Sequence, residues 1–371
     1  MRGYFTARTG AIGATNSVCC ARDFGGTPVT RYRLAALVAS CAFACLGATP
    51  KDTRPEAALP EKIAIPYPDW LFPIHPESLL PPPKTPPPKL DDVELLGIPD
   101  SSQKYTLARI NDPFNAPDWQ PNSHIPMPDI VAKGRKPKVI ACAYCHTPTG
   151  QGRPENSALA GLPETDIKEQ LNDFRNGKRE AIGPEKYLPS RGMHAVAAAL
   201  TDAEIDESAK YFSQQKLGRR VWVAEAINIP RAEPSDWVYK EVGGTEDLGT
   251  RLLEVAPDIT RHQYRDDRMQ YTAYVPPGAL ASGKRLATTG KGADGSAVTP
   301  ICATCHLANL KGTDKIPPIA GRSPTYLLRQ LLAFKNGART GEAAEQMKPT
   351  VEKLELEDMI ALAAYVGSLY P

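Results

Sequence analysis

Apolar residues recur at helical spacing in two widely separated stretches of the chain, and both stretches end in the same way. Ile205, Ala209 and Phe212 fall three to four residues apart, and Met359, Leu362, Ala363 and Val366 follow a similar pattern near the C-terminus. Such spacing lines one face of a helix. Thr201-Asp-Ala-Glu204 opens the first of these helices as a capping box, where threonine and glutamate satisfy each other's backbone N–H groups. An earlier helix is predicted in each stretch, over 164–176 and 324–336, closed by Gly177 and Gly337. No alternation of strand type appears in either stretch. The expected fold class is therefore all-α, with two small helical domains.

The two stretches are copies of one unit. An offset of 160 residues superposes Cys142 on Cys302, Cys145 on Cys305, His146 on His306, Gly152 on Gly312, Gln170 on Gln330 and Gly177 on Gly337 without a gap. Beyond Gly177 a longer loop in the first copy changes the offset to 154, which brings Met193 over Met347 and Leu200 over Leu354. Self-similarity of this kind means one structural unit present twice. The units are placed at 129–216 and 278–371. Between them, 217–277 holds Trp222, Trp237, three prolines by residue 257 and a charged run from Arg261 to Arg268. An irregular packing segment is predicted there.

The N-terminal third reads differently. Pro-Pro-Pro occurs at 81–83 and 86–88 within a proline-rich extended arm, 49–128. Proline lacks a backbone donor and favours polyproline II, so a packed core is not expected over 50–90, and 91–128 is expected to be loop-like. Within the arm, Tyr67–Phe72 is apolar and is expected to lie against its own domain, with a partner surface as the alternative. A short helix is expected over Ser102–Ile110. Residues 1–48 form a targeting segment: Arg31 and Arg33 precede an apolar run, Leu34–Ala48, which is short for a membrane span and reads as a secretory signal. The thirty residues before it suggest that translation starts at Val29. Small residues precede Cys41 and Cys45, as at a bacterial lipoprotein processing site. One of them would then carry a lipid that tethers the chain to a membrane; the alternative is that both leave with the signal.

Charge narrows the function. The 44 basic and 42 acidic side chains leave a net charge of +2, which gives no footing for nucleic acid as a partner.

The eight cysteines come in four close pairs, unlike the scattered spacing of a disulfide framework. Two pairs are followed at once by histidine, as Cys142-Ala-Tyr-Cys145-His146 and Cys302-Ala-Thr-Cys305-His306. A three-residue step puts both thiols on one face of a helical turn, where they can bond the two vinyl groups of one porphyrin, and the histidine then faces the iron. Two covalently bound c-type haems are expected. A zinc site would need further Cys or His ligands nearby, and His306 is the last histidine of the chain. A redox dithiol would belong beside a strand of a βαβ fold. For the sixth ligand, Met193 and Met347 are the candidates, because both copies keep a methionine at the same place and a thioether suits iron. His194, Met127 and His124 are rivals in the first unit, and packing is the alternative role for both methionines.

At this point the segments CAYCH…LAGLPETDIKEQLNDFRNGKR…M and CATCH…IAGRSPTYLLRQLLAFKNGAR…M resemble the repeated class I cytochrome c domains of dihaem cytochromes of the c4/c553 type. The resemblance covers about Asp129–Gln215 and Gly278–Leu369. It implies two mono-haem helical domains with His/Met ligation, acting as electron-transfer proteins in the bacterial periplasm. It also implies a proline before the Ala-Gly turn whose carbonyl orients the proximal histidine. The second unit has Pro317-Pro318 there, whereas the first has Ser157-Ala158. The inserted 217–277 segment and the long arm depart from the family's simple two-domain, face-to-face arrangement.

The expectation is an electron carrier between redox protein partners, a donor complex or dehydrogenase and an acceptor, with no catalytic residues of its own. The alternatives are a dihaem peroxidase, which needs one iron with an open distal face, and a cytochrome subunit of a membrane-associated dehydrogenase.

Overall fold

The computed structural model describes residues 65–75 and 93–371. The targeting segment with Cys41 and Cys45, and the polyproline runs, lie outside the described residues.

In the first unit the helices are α1 (Leu107–Ile110), α2 (Asp129–Ala132), α3 (Cys142–His146), α4 (Glu164–Arg175), α5 (Leu188–Ala199) and α6 (Asp202–Ser213). The capping box forms at α6: Thr201 Oγ1 accepts from the Glu204 N–H at 3.2 Å, and Glu204 Oε2 accepts from the Thr201 N–H at 2.7 Å. Ile205, Ala209 and Phe212 are buried on one face of α6, packed with Val139, Ile167 and Val196.

Segment 217–277 corrects the all-α expectation. It forms a five-stranded mixed sheet, β1 (Val221–Glu225), β2 (Asn228–Ser235), β3 (Val238–Asp247), β4 (Leu253–Ala256) and β5 (Tyr271–Val275), with α7 (Ile259–Gln263) between β4 and β5. The order is β1-β5-β4-β3-β2. β1/β5 and β3/β4 pair parallel; β2/β3 and β4/β5 pair antiparallel. The prolines that suggested irregularity, Pro230 and Pro234, stand in β2 at the sheet's edge, where a missing donor costs no central ladder bond. The β2–β3 hairpin turns on Asp236 and Trp237, both with positive φ (47° and 68°). That backbone suits a two-residue hairpin, but the pair lacks the usual glycine. Alternation is present only in short pieces, such as buried Tyr271, Ala273 and Val275 of β5.

The second unit contains α8 (Ala279–Thr289), α9 (Ala303–His306), α10 (Pro324–Lys335), α11 (Glu342–Glu345), α12 (Lys348–Val351) and α13 (Leu356–Ser368). α8 crosses α13 at Gly283, where a Cβ would overlap the Ala361 carbonyl. The first unit keeps only one turn, α2, at the corresponding place, because Pro117, Pro121, Pro126 and Pro128 precede it. Among the described residues no helix is long and apolar enough to cross a membrane.

The sheet and the arm join the helical units into one body. Leu252 and Val275 share a buried cluster with Leu286, Leu328 and Met359 of the second unit, and Leu71 and Phe72 enter the same cluster. The Tyr67–Phe72 patch thus lies against its own chain. Arg329 of α10 donates to the Leu71 carbonyl from Nε and Nη2 at 3.0 and 2.6 Å, and from Nη1 to the Pro154 carbonyl at 2.8 Å. Arg220, just before β1, donates to the Gly152 carbonyl of the first unit at 2.6 Å. The two units also meet directly: the Glu180 N–H donates to the Ala338 carbonyl and the Thr340 N–H to the Lys178 carbonyl, both at 2.7 Å. Lys178 and Ala338 are equivalent in the repeat, as are Glu180 and Thr340.

Candidate functional site

Each Cys-x-x-Cys-His segment folds as one helical turn. α3 spans it in the first unit; in the second, Cys302 has helical backbone angles and α9 continues to His306. The turn ends abruptly. Thr147 and Leu307, one residue after the histidines, adopt φ of 63° and 64°. The chain then loops back, and the N–H groups of Gly152 and Gly312 donate to the His146 and His306 carbonyls at 2.9 and 3.0 Å. Both glycines have φ of 64°, and a Cβ on Gly312 would overlap the Ile316 carbonyl.

The returning loop fixes the imidazoles. His146 Nδ1 lies 2.8 Å from the Ser157 carbonyl, and His306 Nδ1 lies 2.9 Å from the Pro317 carbonyl. Ser157 and Pro317 are equivalent in the repeat, so serine supplies the carbonyl that the first unit seemed to lack. A carbonyl partner requires the proton on Nδ1, which leaves a lone pair on Nε2. Burial pushes the pKa of both imidazoles down, which keeps them neutral, the form that binds metal. Burial also pushes the thiols of Cys142 and Cys302 up, to about 12 and about 11. A thiol held neutral in this way is a poor redox nucleophile.

Both attachment turns open onto one cavity of about 1440 Å³ that runs through both units. Cys142, Cys145 and His146 line it, as do Cys302, Cys305 and His306. So do Met193, on α5, and Met347, the residue that caps α12. The rivals do not line it. His194 stacks edge-on against Phe174 at 5.3 Å. His124 Nε2 sits 3.2 Å from the Asp118 carboxylate. Met127 packs against the first core, and Met269 and Met359 are buried in other clusters. Among the described residues no group of three or more His, Cys, Asp or Glu side chains is placed to hold a metal ion.

Several residues at the cavity carried no signal in the motif. Arg179 and Arg339 line it between the two turns. Burial, with Arg179 close by, pushes the Arg339 guanidinium down to about 9. Both guanidiniums act on the Asp166 carboxyl of the same cavity, which burial nonetheless pushes up. Their equivalence at the 160 offset was visible in the sequence. Asp236, Trp237 and Arg265 reach the cavity from the sheet segment and could not be foreseen from a stretch expected to be irregular.

The residues present fit a covalent haem at each turn. Paired thiols share one face, an imidazole offers its lone pair, apolar side chains such as Leu162, Ile167 and Val196 line the space, and Arg179 and Arg339 on the same cavity would supply positive charge to the porphyrin's carboxylates.

The sequence model of the family described as cytochrome c matches residues 131–216 and 281–370. The chain is 24% identical over 237 residues to cytochrome c4 of Pseudomonas aeruginosa, covering 63% of this chain and 86% of that protein. It is 26% identical over 236 residues to a thiosulfate dehydrogenase electron acceptor of Thiomonas intermedia, covering 62% and 80%. It is 36% identical over 104 residues to the cytochrome subunit of sulfide dehydrogenase of Chlorobaculum tepidum, covering 25% of this chain and 91% of that protein.

Proposed function

The chain belongs to the cytochrome c family, as a dihaem class I electron-transfer cytochrome with two covalently bound haems, and from that premise we propose that it relays single electrons in the periplasm with each iron held between a histidine and a methionine. Bound haem supplies an iron that alternates between ferric and ferrous states. The chain's own residues hold and tune it. Cys142 and Cys145, and Cys302 and Cys305, anchor the two porphyrins. His146 and His306 present Nε2 from a fixed ring orientation, because the Ser157 and Pro317 carbonyls hold Nδ1.

The observation that carries this reading is the presence of Met193 and Met347 on the same cavity as both attachment turns. A thioether ligand raises the reduction potential and closes the sixth position. With both positions filled by the protein, peroxide would find no vacant coordination site, which favours a carrier over a peroxidase. The apolar run over 34–48 supports export, with Cys41 or Cys45 as the lipid acceptor of a tethered form. Relatives named for thiosulfate dehydrogenase and sulfide dehydrogenase support a dehydrogenase as the electron donor.

A potentiometric titration followed by absorbance tests the proposal. Two one-electron steps per chain and no turnover of added peroxide are expected. Rapid peroxide consumption would replace the carrier with an enzyme.

A further inference from the structure

The two attachment turns are equivalent in sequence and unlike in surroundings. In the first, Ala143 and Thr147 are buried, at 1% and 0% exposure. In the second, Cys305, Thr304 and Ala308 are exposed, and Ile301 and Leu307 show 42% and 46% of their surface. Thr147 and Leu307 are the same position of the repeat, with the same backbone conformation.

The difference comes from the arm and the sheet segment. The Ala141 N–H, beside the first turn, donates to the Pro113 carbonyl of the arm at 2.8 Å. Thr149 Oγ1 donates to Asp267 Oδ2 at 2.9 Å. The Arg265 guanidinium lies 3.9 Å from the centre of the Tyr144 ring, inside the Cys-x-x-Cys step, and also donates to the Ile110 carbonyl at 3.3 Å. Trp119 of the arm, 2% exposed, donates from Nε1 to the Tyr264 carbonyl at 2.7 Å and so clamps arm to insertion. The cover is made of partly buried polar contacts with named partners, and at the second turn Leu307, the counterpart of buried Thr147, stands open.

We propose that the arm and the inserted sheet seal the first attachment turn, so that electrons enter and leave the chain at the second turn and reach the first haem from within. Electron exchange weakens steeply with distance and with the thickness of protein between donor and acceptor. The sulfur of Cys305 belongs to an exposed residue, whereas Cys145 is half-buried, with Arg153 and Arg265 near enough to act on its thiol. The inference rests on the relay reading for its meaning, but the seal is a property of the fold and is measurable without any partner.

The test uses the holoprotein and a soluble gadolinium chelate as a relaxation probe. Haem methyl resonances are assigned to each haem by their proximity to Tyr144 or to Leu307. The expected result is selective loss of the methyl signals of the haem at Cys302 and Cys305. Equal loss at both haems, or loss confined to the haem at Cys142 and Cys145, would overturn the proposal. In an Arg265→Ala variant whose low-spin spectrum is intact, the first haem's signals should become susceptible; if they stay as protected as before, the seal does not depend on the insertion. A peroxide-active protein that still shows the asymmetric broadening would defeat the relay reading and leave the seal standing.

Discussion

Arg179 and Arg339 occupy one position of the repeat, and each donates to the equivalent glutamine of both copies. Arg179 reaches Gln170 Oε1 at 2.8 Å and Gln330 Oε1 at 3.1 Å. Arg339 reaches Gln330 Oε1 at 3.0 Å and Gln170 Oε1 at 2.7 Å. Exchange of partners between equivalent residues is what a two-fold relation produces. The units therefore keep a face-to-face contact despite the sheet inserted between them in sequence, and the contact closes one cavity over both sites. Removing either arginine takes one of two charged donors from each glutamine oxygen. Arg179→Leu or Arg339→Leu should lower stability by about 1–3 kcal/mol. The readout is the urea midpoint at unchanged slope, and an unchanged midpoint would show that the pair contributes nothing.

Ser157→Pro restores the residue that stands at the equivalent position of the second unit. The hydrogen bond to His146 is made by the carbonyl of this residue, and proline keeps its carbonyl. The absorbance spectrum and the potential of the first haem should stay as they are. A shifted potential would mean that the serine side chain or N–H has a part in holding the ring.

Gly283→Val forces a branched side chain into the contact between α8 and α13. Because the obstacle is the Ala361 backbone carbonyl, the helices must part. Overpacking of this kind costs about 1–3 kcal/mol or more. Chemical denaturation of the holoprotein checks it, and a loss well under that range would show that the crossing is more plastic than described.

Glu204 couples stability to acid. Its hydrogen bonds with Arg135 and then with Thr201 hold its carboxyl down, from 4.5 to about 2. A depressed carboxylate adds stability that is complete above pH about 4.5 and disappears as pH falls through about 2. The group is near the surface, so the gain is a modest one. Glu204→Gln should flatten the acid limb of the urea midpoint between these values while leaving the profile at neutral pH parallel to the parent. An acid limb as steep as the parent's would assign it to other carboxylates.

The chemistry of the site was legible in sequence because it is local. Three-residue spacing, an adjacent histidine and a repeat offset suffice to mark both attachment turns. The helices at 164–175 and 324–335 were equally legible, since caps and glycine stops act within a few residues. The sheet was not. β4 is buried along its whole length, β2 and β3 are interrupted by prolines and glycines, and the hairpin turns on Asp236-Trp237, which lacks the usual glycine. The contribution of Arg265 depends on a fold that brings residues 144 and 265 together, and no local pattern encodes that. The doubt over Ser157 arose from reading a proline as the functional feature, when the carbonyl is what the histidine uses.

The most direct test of the account is the sulfur-to-iron charge-transfer band of the oxidised holoprotein, quantified per chain beside its intact mass. The account predicts a mass increased by two haems, a band of two-site intensity, and loss of half that band in Met193→Ala and in Met347→Ala separately. A full-intensity band in either variant, or a high-spin spectrum in the parent protein, would contradict it.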